Sequence, residues 1–163
     1  MGMNPDLKIF LVDDEPYCLD LYGQYLRNLG YVNVQYFNKS ADCLDQLTLQ
    51  PDLIFLDYNM DNLNGIDVLK KIKRFDPNIP IVFLSGQKEI SIAVNALKYG
   101  ALDYIRKEDV DEDRMTECMN KVVRVKEFLS GGGRMEPVKK ILAGVGVLSA
   151  VSVFQKFFLK YAK

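Results

Sequence analysis

Five side chains carry the chemistry that this sequence can perform: Asp13 and Asp14 in Val12-Asp13-Asp14-Glu15, Asp57 in Leu56-Asp57-Tyr58-Asn59-Met60, Ser85 in Leu84-Ser85-Gly86, and Lys107 in Arg106-Lys107. Three carboxylates brought together repel one another, and a hard divalent cation with oxygen ligands relieves that repulsion. Mg2+ suits such a place because it keeps several waters and pairs readily with phosphate oxygens. A carboxylate is also a competent nucleophile for forming an aspartyl-phosphate. Lys107 offers a compact positive charge and Ser85 a hydroxyl to the phosphoryl oxygens. The chemistry that fits is transfer of a phosphoryl group onto Asp57.

The residues that must position this set are short apolar runs. Each lies at the end of one: Ile9-Phe10-Leu11-Val12 before Asp13 and Asp14, Leu53-Ile54-Phe55-Leu56 before Asp57, Ile79 to Leu84 before Ser85, and the weaker, mixed strand Asp103 to Arg106 before Lys107. Val32 to Phe37 reads as one more strand. Between the strands lie helical spacings: 16–29, opened by Pro16 and closed by Gly30; a helix from Ala41 to Leu49, capped by Asn38 or Ser40 and ended by Pro51; a short helix after Asn64-Gly65 closed by Pro77; a helix with Ile90, Ile92, Ala93, Ala96 and Leu97; and residues 110–129. The last is the clearest amphipathic helix, with Met115, Cys118, Met119, Val122, Val123 and Leu129 on one side. Strands alternating with helices call for an α/β fold, a doubly wound five-stranded parallel sheet. In such a sheet ligands collect beyond the carboxyl ends of the strands, where all five residues fall.

Composition narrows the field. Of 163 residues 48% are apolar, enough for a proper core. There is no histidine, which excludes histidine acid–base chemistry, histidine metal ligands and a phosphohistidine donor role. Cys18, Cys43 and Cys118 are widely spaced and form no C-x-x-C, as expected of a reduced, cytoplasmic protein. No basic region followed by an apolar run opens the chain, so no signal peptide is expected. Residues 131–163 hold six basic side chains against Glu136 alone, so an acidic domain carries a basic tail.

Taken in order and on these strand ends, the motifs resemble the receiver domain of two-component response regulators over about residues 6–129. The resemblance rests on the acidic pair 13–14, the acceptor Asp57, a glycine at Gly65, the hydroxyl Ser85 and Lys107. It implies a flavodoxin-like sheet of strand order 2-1-3-4-5 and phosphorylation of Asp57 by a partner sensor histidine kinase or phosphotransfer protein. It further implies Mg2+ held by Asp14, Asp57 and the Asn59 backbone carbonyl, with Asp13 acting through water. Tyr104 matches an aromatic that swings inward with Ser85, although a core tyrosine without that role fits equally well. The side chains of Asn59 and Gln87 match positions that tune the phosphate lifetime. Two departures stand out: Glu108 follows Lys107 where the family commonly has a cis proline, so a trans and looser loop is expected, and Asp61 stands where proline is usual.

A different reading is an enzyme, a phosphatase or phosphotransferase working through an aspartyl-phosphate. Such enzymes carry a second aspartate two residues after the nucleophile, and here that place is Asn59. The expected organisation is a receiver at 1–129, a Gly-rich linker at 130–136 and a hydrophobic, basic helical tail at 137–163. Ile141 to Phe154 is uncharged but shorter than the ~20 residues that a membrane span needs. As a helix it places Ser149, Ser152, Lys156, Lys160 and Lys163 on one side and Ile141, Val145, Leu148, Val151, Phe154 and Phe158 on the other. Attachment to an anionic membrane at its inner face and packing on protein, including a homodimer, both stay open. Direct DNA binding is not expected, since one short helix cannot supply a helix-turn-helix.

Overall fold

A computed structural model describes residues 5–60, 63–86 and 90–129. The chain divides into two compact units, Met1–Cys118 and Met119–Lys163. The first is built on strands β1 (Ile9–Val12), β2 (Val34–Phe37), β3 (Leu53–Asp57), β6 (Ile81–Ser85) and β7 (Asp103–Arg106), paired in the order β2-β1-β3-β6-β7. Every pairing is parallel, so the expected sheet and strand order are present. The numbers differ because a small antiparallel hairpin, β4 (Asn59–Met60) with β5 (Leu63–Asn64), intervenes after β3.

Helix α1 (Pro16–Asn28) follows β1, α2 (Ser40–Asp45) follows β2, α3 (Gly65–Phe75) follows the hairpin, α4 (Ile90–Lys98) follows β6 and α5 (Glu112–Leu129) follows β7. The three central strands are buried along their whole length, as their unbroken apolar runs require. Alternate residues Phe10 and Val12, Ile54 and Leu56, and Ile81 and Phe83 join one core cluster with Val68, Leu69, Ile72, Ile92 and Ala96 from α3 and α4. Period-2 alternation turns Ile9, Leu11, Leu53, Phe55, Val82 and Leu84 to the opposite side, and all of them are buried. Met115 and Cys118 of α5 are buried in the first unit. In the second unit α5 continues from Met119, with Met119 and Val122 buried.

Three local expectations are corrected. Neither Asn38 nor Ser40 caps α2; Lys39 takes the capping position without a side-chain bond, because the helix starts at Ser40 itself. That helix also ends early, passing into a 3-10 turn (Leu47–Leu49) and a left-handed Gln50 at φ 55°. Proline at 51 disfavours right-handed helix in the residue before it, which removes Gln50 from the helix. The fourth expected strand begins at Ile81 and not Ile79, since Pro80 has no N–H for the ladder. The linker, the tail, Asp61 and Gln87 lie outside the described residues.

Candidate functional site

The register of the sheet assembles the site. Asp57 pairs with Leu84 across β3 and β6, so Ser85 lies one residue further out. Ser85 in turn pairs with Arg106 across β6 and β7, so Lys107 lies one residue beyond that. On the other flank Val12 pairs with Leu56, and Asp13 extends the ladder by donating its N–H to Phe37 O at 3.1 Å. Asp13, Asp57 and Ser85 are fully buried, the only polar members of the buried set besides Ser40 among the described residues.

Lys107 reaches into this cluster from the sheet rim. Its Nζ lies 2.9 Å from Asp13 Oδ2, 2.8 Å from Glu15 Oε1 and 3.2 Å from Asp57 Oδ2. Asp57 Oδ1 accepts from the Tyr58 N–H at 2.8 Å, and Asp13 Oδ1 accepts from the Glu15 N–H at 3.0 Å. The remaining oxygens, Asp13 Oδ2 and Asp57 Oδ2, have no hydrogen bond of acceptable geometry among the described residues. They face Lys107 at ion-pair distance only.

These contacts set the acidities. Burial, reinforced by the charge of Asp13 and opposed by Lys107, pushes the Asp57 carboxyl up to about 7. Burial likewise raises Asp13, against the bond from Lys107. Burial alone would lower the Lys107 ammonium, but bonds to Glu15 and Asp13 and the charge of Asp57 more than offset it. The pocket therefore holds more negative charge than one lysine neutralises. A carboxylate oxygen from each of Asp13, Asp14 and Asp57 lies within 4.8 Å of the other two. With two buried oxygens lacking hydrogen bonds, this all-oxygen set fits a small hard cation such as Mg2+.

The hairpin depends on Gly65. A Cβ there would stand 2.6 Å from Asp57 O and 2.8 Å from Tyr58 Cα, and its N–H bonds Tyr58 O at 3.0 Å. Only a residue without a side chain lets α3 start so close behind Asp57. Asn64 caps that helix, accepting from the Ile66 N–H at 2.9 Å. Asn59 is exposed at the start of the hairpin. Tyr104 is half-buried against the core and stacks on Phe83, its partner in the ladder, with ring centroids 6.5 Å apart.

The turn after Lys107 is trans, as expected. Residues Lys107–Asp109 form a single 3-10 turn, and no described peptide bond is cis. Arg106 clasps the turn through Glu108 at 2.6 Å and a two-pronged pair with Asp109 at 2.7 and 3.0 Å. Sequence reasoning missed Glu15 as a partner of Lys107. Its signal was visible in the unbroken acidic run 13–15, but nothing in spacing alone says which carboxylate an ammonium prefers.

Comparison with known proteins agrees with the geometry. The model of the response regulator receiver domain matches residues 9–120. Among curated relatives, the luminescence regulatory protein LuxO of Vibrio campbellii is 31% identical over 70% of this chain and 25% of its own length. The transcriptional regulatory protein ZraR of Salmonella typhimurium is 36% identical over 72% of this chain and 26% of its own. The chain thus spans about a quarter of the length of these relatives. The receiver domain of NtrX from Brucella abortus superposes with a TM-score of 0.67 at 30% identity, covering 72% of this chain and 98% of that domain. With fold, strand-end residues and family match in agreement, this chain belongs to the response regulator receiver domain family.

Proposed function

We propose that Asp57 accepts a phosphoryl group from the phosphohistidine of a partner kinase or phosphotransfer protein, and that this changes a protein-binding face. A carboxylate oxygen of Asp57 attacks phosphorus, the P–N bond breaks, and its electron pair leaves with the imidazole. The support is one arrangement: a buried aspartate with an oxygen lacking a hydrogen bond, facing a lysine and flanked by two further carboxylates. When bound by Asp13, Asp14, Asp57 and the Asn59 carbonyl, Mg2+ would neutralise the carboxylates and the incoming phosphoryl oxygens. Lys107 donates to a phosphoryl oxygen as charge shifts during transfer, and the Ser85 hydroxyl donates to another. Asn59 and Gln87 set how readily water reaches the acyl phosphate.

The output follows from adjacency in the sheet. Ser85 and Tyr104 lie on paired strands, β6 and β7, and Tyr104 stacks on Phe83 two residues before Ser85. Drawing Ser85 toward the phosphoryl group shifts the packing of Tyr104 and thereby an existing equilibrium of the surface made by α4, β7 and α5. On the sequence pattern alone, residues 1–129 serve as the receiver, 130–136 as a linker and 137–163 as a segment that contacts an anionic membrane at the inner face of the cell. No described helix is long and apolar enough to cross a membrane.

Incubation with a small acyl phosphate and Mg2+ tests the acceptor. One phosphoryl group is expected by intact mass, and none in Asp57→Asn. Unchanged labelling of that variant refutes the assignment, and sustained turnover of an external phosphoester indicates the enzyme reading in its place. Liposome flotation before and after removal of residues 131–163 tests the tail, and equal behaviour ends the membrane reading.

A further inference from the structure

The Lys107 ammonium has three protons and four carboxylate oxygens around it. Glu15 Oε1 at 2.8 Å is the nearest, ahead of Asp13 Oδ2 at 2.9 Å, Asp13 Oδ1 at 3.1 Å and Asp57 Oδ2 at 3.2 Å. Glu15 stands apart from the set that fits the cation. Its carboxylate groups with Asp13 and the thiol of Cys18, and not with Asp57. The carboxylate is held by Lys107 while remaining mostly exposed.

We propose that Glu15 is a positioning residue that parks Lys107 at the pocket mouth and competes with the phosphoryl group on Asp57 for its ammonium. The inference rests on Asp57 being the acceptor. Lys107 donates its two hydrogen bonds to Asp13 Oδ1 and Glu15 Oε1, while Asp57 Oδ2 faces it at ion-pair distance only, so turning the ammonium toward a phosphoryl oxygen on Asp57 loosens one of those two bonds. The partner released most cheaply is the one that water can solvate again. Glu15 has 62% of its side chain exposed, whereas Asp13 and Asp57 each have 1%. Parting Glu15 from Lys107 is then a cost built into phosphorylation, set by a residue that touches neither phosphorus nor the cation.

The test compares wild type, Glu15→Gln and Glu15→Asp for labelling by a small acyl phosphate over a range of donor concentrations with Mg2+. An ion pair this exposed is worth at most about a fivefold factor, so Glu15→Gln should raise the maximal labelling rate about two- to fivefold. The half-saturating donor concentration should stay the same. Glu15→Asp keeps the charge on a shorter arm and should fall between the two. Glu15 gives α1 no side-chain cap bond, so the substitutions leave that helix start intact. An unchanged maximal rate overturns the proposal. So does an effect confined to half-saturation, which would mean that Glu15 only repels the anionic donor. Failure of wild type itself to label refutes the acceptor reading, and the competition falls with it, whereas normal labelling of wild type with an unchanged rate in Glu15→Gln overturns the competition alone.

Discussion

Lys107, which follows β7, meets Asp57 of β3 at 3.2 Å although β7 and β3 are not neighbours; β6 lies between them. The side chain spans a whole strand to place a charge beside the Asp57 carboxylate. Lys107→Met keeps the length and deletes the charge. We expect the labelling rate of Asp57 to fall at least tenfold, with the fold retained by circular dichroism.

Asp57 gives a pH signature. Its carboxyl is pushed from 3.8 to about 7 in the folded protein, so the folded state holds this proton more tightly than the unfolded chain. That stability is fully present below the unfolded value and is lost as pH rises through 7. Asp57→Asn has no such loss. In metal-free urea unfolding the variant should gain about 2–4 kcal/mol on wild type between pH 4 and pH 8, from roughly three pKa units at about 1.4 kcal/mol each. A constant difference across that range would contradict the burial argument.

Mg2+ should stabilise the folded chain by occupying the three-carboxylate set. At a tenfold excess over its dissociation constant the gain is about 1.4 kcal/mol, read as a rise in Tm. Asp14→Asn removes one donor oxygen and should need a several-fold higher Mg2+ concentration for the same rise.

Gly65 tests the fold around the site. Its missing side chain leaves room for the Asp57 carbonyl, 2.6 Å from where a Cβ would stand. Gly65→Ala forces backbone against backbone and should cost about 1–3 kcal/mol in denaturant unfolding. Labelling of Asp57 should slow as well, because the same contact lies behind that residue.

Much of the site was legible because each of its residues ends an apolar run. Val12, Leu56 and Leu84 are buried on strands whose ends the sheet must align, and the next residues therefore meet. The hairpin of β4 and β5 was not legible, since two-residue strands have no periodicity to read. Ile90 and Leu97 sit at helical spacing with Ile92 and Ala96, yet they are exposed while the latter two are buried. Pattern alone marks an apolar face without saying what covers it. Glu15 escaped notice for a related reason: its partner comes from ninety-two residues away.

Consider last the clasp of Arg106 on Glu108 and Asp109. All three side chains are about half exposed, so ions from solution reach between them. Such pairs weaken as the electrolyte thickens, because the screening length shrinks from about 8 Å at physiological strength to about 3 Å at 1 M salt. The firmness of the turn that carries Lys107 is thus a property shared with the surrounding medium. Concentrated salt loosens the footing of the amine while the interior of the sheet stays as it was.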